Sequence, residues 1–178
     1  MRYAVTGSTG FLGANLVRGL LAAGHEVVAL IRKPNALLEG LDLELHSVAL
    51  HSEEAGHLDA LASPLGGCDG LFHLAGIFDP SPGGEARMHA VHVAATRTLC
   101  AAAERAGVPR IVLCSSSITV GYGSMNAPGD EETPLDVNAS YGRSGALRAY
   151  HDTKLEAERI VAEAPGIEGV IVNPDFII

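Results

Sequence analysis

A chain of 178 residues is the length of a single domain, and at this size roughly 70% of the unfolded surface is buried, enough for a core without disulfide or metal staples. Apolar residues make up 47%, which argues against disorder, while a formal charge of −9, 4% aromatic residues and no tryptophan exclude a phosphate-backbone or base-stacking partner, so no nucleic acid is expected. Cys68, Cys100 and Cys114 form no CxxC pair, no signal-peptide pattern opens the chain, and no apolar run reaches the ~18 residues of a membrane span, so a cytoplasmic domain without membrane contact is expected. In chain order, Tyr3–Thr6 reads as a β-strand closed by Gly7. After Gly13, leucines at helical spacing run to a stop at Gly24. Glu26–Ile31 is the continuous apolar strand of a sheet buried on both faces. A third strand is expected within Leu43–Val48, a helix from Glu54 to Leu65, a fourth strand over Gly70–Leu74 and one Ala-rich helix over Glu85–Ala106. Val108–Cys114 predicts a fifth strand, Ser115–Arg148 a long polar loop, Tyr150–Glu163 a helix and Gly169–Val172 a sixth strand. Alternating strands and helices imply right-handed crossovers and a doubly wound parallel α/β sheet, the Rossmann arrangement with strand order 3-2-1-4-5-6, over one domain of residues 1–178.

Gly7-Ser8-Thr9-Gly10-Phe11-Leu12-Gly13 lies between the first strand and the first helix. Three glycines there permit a tight turn, close approach of a pyrophosphate to the backbone, and close packing of helix on strand. The N–H groups at the helix start then receive the phosphates. The spacing is GxxGxxG rather than GxGxxG, and its position in the first βα turn favours a dinucleotide over an ordinary turn. At the end of the second strand, where an acid would favour NAD, stand Arg32 and Lys33. Two cations suit a 2′-phosphate, so NADP is the expected cofactor, with NAD as the alternative.

Tyr150-His151-Asp152-Thr153-Lys154 places Tyr150 and Lys154 at i and i+4 on one helix face. A nearby ammonium lowers the cost of a phenolate, as acid–base work by a tyrosine requires. Ser115-Ser116-Ser117 follows the fifth strand at the carboxyl end of the sheet, where ligands bind, and a serine there can donate to a carbonyl oxygen. His89 and His92 are spaced i and i+3 with no third ligand nearby, so no metal is expected, and His151 reads as a solvated helix position.

Five motifs in order, TGSTGFLG (Thr6 to Gly13), FHLAG (Phe72 to Gly76), LCSSSITV (Leu113 to Val120), YHDTK (Tyr150 to Lys154) and VNPDFII (Val172 to Ile178), make the chain resemble the extended short-chain dehydrogenase/reductase family. The resemblance is to its NAD(P)-dependent epimerase/dehydratase branch, dihydroflavonol-4-reductase-like members in particular. It implies that Gly7, Thr9, Gly10, Phe11 and Leu12 line the pyrophosphate, that Arg32 and Lys33 face the 2′-phosphate, and that Leu74, Ala75 and Gly76 pass the adenosine and its ribose. It implies Tyr150 as acid/base, Lys154 on the nicotinamide ribose, and Ser117 as the substrate-polarising hydroxyl with Ser116 as the fallback. Ser115, Asn173 and Pro174 complete the cofactor contacts. Where the family often has Gly-Asp-Leu, this chain has Val48-Ala49-Leu50, leaving at most a backbone contact at Leu50, and His92 stands where the family often has Asn. The expected activity is an NADP-dependent hydride transfer to or from a small carbonyl or alcohol. The alternatives are NAD-dependent epimerisation or dehydration of a nucleotide sugar, and a non-catalytic nucleotide-binding module. By the resemblance, a C-terminal substrate domain beyond Ile178 is missing, and a homodimer is possible.

Overall fold

The computed structural model describes residues 1–52, 54–175 and 177. Phe176 and Ile178, which close the VNPDFII motif, lie outside them. Six strands, β1 (Arg2–Thr6), β2 (Glu26–Ile31), β3 (Glu44–Ser47), β4 (Gly70–His73), β5 (Arg110–Cys114) and β6 (Glu168–Val172), form one sheet in the order β3-β2-β1-β4-β5-β6. Every pairing is parallel. This is the doubly wound arrangement that the alternating pattern implied.

Two cores follow from the pleat, since successive side chains of a strand point to opposite faces. Val5, Val27, Ala29 and Ile31 meet Val17 of α1 (Phe11–Ala22) on one face. Ala4, Val28, Leu30, Leu71, Ile111 and Leu113 lie on the other. There they meet α2 (His57–Ala62), α4 (Ala95–Ala106) and α6 (Ala146–Ala162) through Leu61, Leu99, Ala103, Ala157 and Val161. The continuous apolar run of β2 is thus explained by burial on both faces. On the α1 face, Phe72, which packs against that core, and Val112 and Val170 stay half-buried, and Tyr3, Phe72 and Val112 line an open groove there. At the amino ends of the strands, Arg2 forks the Glu44 carboxylate at 2.5 and 2.9 Å and Arg110 holds Glu168 at 2.6 Å. The carboxyl ends carry the motifs.

Four segments depart from the sequence expectation. Helix α1 starts at Phe11, with Gly10 as its N-cap, so Phe11, Leu12 and Gly13 belong to its first turn. The expected helix from Glu54 begins only at His57, because Gly56 sits in the left-handed region (φ +81°), and it tightens into a 3₁₀ turn at Ser63–Leu65. The Ala-rich helix is interrupted: α3 (Gly84–His89) passes through a π turn at Ala90–Ala94 before α4 begins. The long polar loop contains a 3₁₀ turn at Ser117–Thr119 and a short helix α5 (Val137–Tyr141), capped by Asp136 accepting from the Ala139 N–H at 3.0 Å; α6 then begins at Ala146, four residues before Tyr150.

Candidate nucleotide and proton-transfer site

The glycine turn is a cradle that side chains would fill. Gly7 has φ +68°, and a Cβ on it would lie 2.6 Å from the Leu74 carbonyl carbon, so the chain leaving β4 passes directly against the turn. A Cβ on Gly13 would lie 2.2 Å from the Gly7 oxygen. Gly10 closes the turn by donating its N–H to Gly7 O at 2.9 Å. Ser8 is fully buried, and its Oγ finds no partner among the described residues. An unfilled hydroxyl, a helix start with unpaired N–H groups, and backbone that tolerates no Cβ together fit a phosphate oxyanion. Thr9 is half-buried; Phe11 is 64% exposed at the lip, with Leu12 half-buried beside it. Arg32 and Lys33 are exposed at the end of β2, and the ion pairs among the described residues use neither. Leu50 is turned away from them, its side chain packed against the α2–α4 core.

Helix α6 brings Tyr150 and Lys154 onto one stripe. Lys154 is only 5% exposed; its Nζ donates to Cys114 O at 3.0 Å and stands 5.9 Å from the centre of the Tyr150 ring. Burial pushes the Lys154 pKa down, while Cys114 and Glu158 act in the opposite direction. A Cβ on Gly76 would lie 3.2 Å from that Nζ and 3.5 Å from His92 Nε2, so the FHLAG turn runs directly beside both, with Leu74 and Ala75 half-buried ahead of it. The Tyr150 ring is held edge-on by Phe78 and His92, with centroids 5.4 and 5.5 Å away. Burial raises the Tyr150 pKa, and the neighbouring Ser116 hydroxyl works against that rise.

Ser117, which the motif alignment favours, and Ser116, its fallback, both stand at the site, and neither hydroxyl is hydrogen-bonded to Tyr150 among the described residues; the Ser116 oxygen accepts from the Ile118 N–H at 3.3 Å. Ser117 donates its hydroxyl to Asp175 Oδ1 at 3.2 Å and its N–H to Pro174 O at 2.9 Å. The reason is local: Ser116 is the extended N-cap of the 3₁₀ turn (φ −161°), and the turn carries Ser117 away toward the end of β6. Ser115 and Asn173 also direct their polar groups inward. Ser115 Oγ donates to Glu158 Oε1, and Asn173 Nδ2 lies 2.9 Å from that oxygen and 3.2 Å from Ser116 O.

Two buried histidines brace the site, and their tautomers follow from their partners. The Ile77 N–H donates to His92 Nε2 at 3.1 Å, so Nδ1 carries the proton and donates to Thr153 Oγ1 at 2.9 Å; Thr153 passes its own hydrogen to Ala149 O at 2.7 Å. Thr96 donates to His92 O at 2.5 Å, so His73 Nε2 donates to Thr96 at 2.9 Å and His73 Nδ1 accepts from Thr6 at 2.7 Å. Burial, first, and the Lys154 charge hold both neutral, with His92 lowered to about 4 and His73 to about 3. With both ring nitrogens engaged, His92 is a brace rather than a free proton relay. His151 departs from expectation: it is 3% exposed, packed against Tyr141 and within 2.8 Å of Asp152 Oδ1. His89 is exposed while His92 is buried, and among the described residues no group of three His, Cys, Asp or Glu could hold a metal. Among them, too, no helix is long and apolar enough to cross a membrane. Sequence reasoning missed Phe78, Thr153 and Glu158. Of these Thr153 and Glu158 left a signal, since they fall at i+3 and i+8 from Tyr150 on the same helix.

The chain matches the model of the NAD dependent epimerase/dehydratase family over residues 3–174. It is 37% identical to the sterol demethylase protein B of Methylococcus capsulatus, over 98% of this chain and 51% of that protein. It is 36% identical to a 3 beta-hydroxysteroid dehydrogenase/Delta 5→4-isomerase of Mycobacterium tuberculosis, over 96% of this chain and 44% of that one. A crystal structure of a short-chain dehydrogenase/reductase superfamily protein from Agrobacterium tumefaciens with bound NAD superposes with a TM-score of 0.75 at 28% identity, covering 97% of this chain and 48% of that one. The chain spans about half the length of the relatives it matches.

Proposed function

This chain belongs to the NAD dependent epimerase/dehydratase family, and on that premise we propose that it is an NADP-dependent oxidoreductase acting on a small carbonyl or alcohol. The observation that carries the reading is the convergence of Tyr150 and Lys154 beside the FHLAG turn, which itself abuts the glycine cradle. The nicotinamide supplies the hydride; the chain supplies placement and charge. Gly7, Gly10, Gly13 and the Ser8 hydroxyl hold the pyrophosphate, and Arg32 and Lys33, free of carboxylate partners among the described residues, take the 2′-phosphate. Burial keeps the Tyr150 phenol protonated, which makes it the acid for a carbonyl oxygen. The buried Lys154 ammonium beneath the ring offsets the charge left on the phenolate. Ser116 donates to the same oxygen, with Ser117 the next hydroxyl along the turn.

Titration with NADPH and NADH, followed by nicotinamide fluorescence, tests the nucleotide assignment. At least tenfold tighter NADPH binding is expected, and equal binding would remove the role given to Arg32. NAD is the other cofactor to measure, because the Agrobacterium relative holds it. A second reading, epimerisation or dehydration with retained NAD, draws on the family's own description. It is recognised by turnover of a nucleotide sugar with no net change in nicotinamide absorbance.

A further inference from the structure

One exposed aromatic ring stands beside the phenol with no part in the roles above. Phe78 is 51% exposed, yet its ring packs edge-on against that of Tyr150, with centroids 5.4 Å apart and planes at 80°. A single exposed phenylalanine on a free loop needs no explanation. Phe78 differs because the chain is tied down on both sides of it. Before it, the Ile77 N–H donates to His92 Nε2 at 3.1 Å. After it, Asp79 Oδ1 accepts from the Ser81 N–H at 3.0 Å, and Asp79 Oδ2 accepts from Arg87 Nε at 2.5 Å. Arg87 Nη2 donates in turn to Ser81 Oγ at 2.6 Å and to Pro82 O at 3.1 Å. Gly84 sits so close that a Cβ on it would lie 2.0 Å from Asp79 O. A fixed loop thus holds the ring out beside Tyr150. Leu147 adds a second apolar group: it lies three residues before Tyr150 and seven before Lys154 on the same face of α6, and it is 52% exposed. Beyond the serines, an open groove starts at Ser117 and Asn173 and carries Asp130, Glu131 and Asp175; no lysine or arginine is among the described residues that line it. Arg87 and Arg148 are paired with Asp79 and Asp152, and Arg143, exposed before α6, does not line that groove.

We propose that Phe78 is a specificity-determining residue: its ring, together with Leu147, is the wall that receives an uncharged apolar group attached to the carbonyl that Tyr150 protonates. The proposal rests on the reading of Tyr150 as the proton donor, and it names the substrate class for that site. Ligand sites are lined mostly by apolar and aromatic side chains, with a few polar groups that fix orientation. Here Tyr150 is the polar group and Phe78 the apolar surface next to it. Because the loop is already fixed, little freedom is lost when a ligand covers the ring, so more of the contact energy appears as affinity. The groove carboxylates act the other way on an anion, since like charges set face to face exclude a partner. A nucleotide sugar, whose diphosphate is anionic, is thus disfavoured where an uncharged apolar carbonyl compound is not.

Two aldehydes that share a carbonyl and differ in the apolar group test this, 2-naphthaldehyde and propanal, each followed by loss of NADPH absorbance. The native chain is expected to prefer 2-naphthaldehyde in kcat/KM by about 30-fold or more, and Phe78→Ala to cut that ratio about tenfold through a higher KM for the larger aldehyde. Any displacement of Tyr150 caused by the substitution acts on both aldehydes alike and leaves the ratio unmoved, so an unchanged ratio overturns the proposal. Phe78→Leu keeps an apolar wall and is expected to retain about a third of the native ratio or more; a loss as large as that of Ala overturns it as well. Binding is read apart from turnover with 2-naphthol, which cannot be reduced, added in the presence of NADP⁺ and followed by its own fluorescence. Phe78→Ala is expected to weaken that binding about fivefold or more, and UDP-glucose is expected not to displace it. Equal binding by native and variant chains, no binding to the native chain, or displacement by UDP-glucose overturns the proposal. Should Phe78→Ala fail to fold by circular dichroism, Leu147→Ser is read in its place, with about threefold weaker 2-naphthol binding expected and no change overturning the proposal. If neither aldehyde consumes NADPH while 2-naphthol binding still depends on Phe78, the oxidoreductase reading fails and the apolar wall stands.

Discussion

Replacing Gly13 by alanine sets two effects of known sign against each other within α1. Helix propensity favours Ala over Gly by about 1 kcal/mol in a helix interior. Against it, the new Cβ would stand 2.2 Å from Gly7 O, 2.7 Å from Gly7 C and 2.8 Å from Ser8 Cα. The shortest of these is more than 1 Å inside ordinary contact, and all three partners are backbone, so the turn itself must move. Overpacking of this kind costs about 1–3 kcal/mol, which outweighs the propensity gain in most of its range. Gly19 is the internal control: it lies in the same helix, and a Cβ there meets nothing within 4 Å. Gly19→Ala should therefore raise the thermal midpoint by about 2–4 °C, the equivalent of ~1 kcal/mol in a chain of this size. Gly13→Ala should leave it unchanged or lower it, and should weaken NADPH binding at least tenfold. Thermal unfolding by circular dichroism and NADPH fluorescence titration give both readings. A Gly13→Ala chain that gains stability as Gly19→Ala does, with native NADPH affinity, would refute the reasoning about the cradle.

Tyr150→Phe should lower carbonyl reduction by about 10²–10⁴-fold while NADPH binding stays within threefold, since only the proton donor is lost; stopped-flow loss of NADPH absorbance measures the first and fluorescence the second. Arg32→Glu should weaken NADPH at least tenfold and leave NADH within about threefold, read by parallel titrations. His73 and His92 are held neutral in the fold, with pKa values lowered to about 3 and about 4 from 6.5, so below pH 6.5 the unfolded chain binds protons that the native chain refuses. Stability should therefore fall as pH drops from about 6.5 toward 4, by up to about 1.4 kcal/mol per pH unit for each histidine. Urea midpoints from pH 7.5 to 4.5 check this, and His92→Gln should flatten the slope.

The sheet order was legible because each strand is a compact apolar run and each crossover carries a helical pattern. The glycine turn was legible because three small residues at a βα junction have few other uses. Helical spacing placed Tyr150 and Lys154 on one face, and α6 brings them together there. The serine was not legible, since Ser115, Ser116 and Ser117 are chemically identical in the sequence and take different partners only through the dihedrals around the 3₁₀ turn. The π turn was invisible too: Ala90–Ala94 has ordinary helix propensity, and what selects the wider turn is tertiary, the ties of His92 to Ile77 and Thr153. Helix α5 was hidden by composition, being a five-residue turn held by one Asp136 cap in a polar stretch. His151 was misread because its cover, the Tyr141 ring, comes from that same hidden helix.

The π turn has a consequence for how this chain can change in length. A π turn amounts to one extra residue in an α-helix, and each residue of an α-helix turns the backbone by about 100°. Because the wider turn takes up the extra residue while the helix on either side keeps its phase, deleting one residue from Ala90 or Val91 would return the segment to an unbroken α-helix without rotating α3 on α4. Met88 and Gly84 would keep their buried seats. A deletion within α4, outside the π turn, would instead swing the helix on one side of it by about 100°. The segment from Tyr122 to Glu132 is bound by no such phase, being exposed throughout. Length change is thus absorbed at the rim and at the π turn, and not within α4.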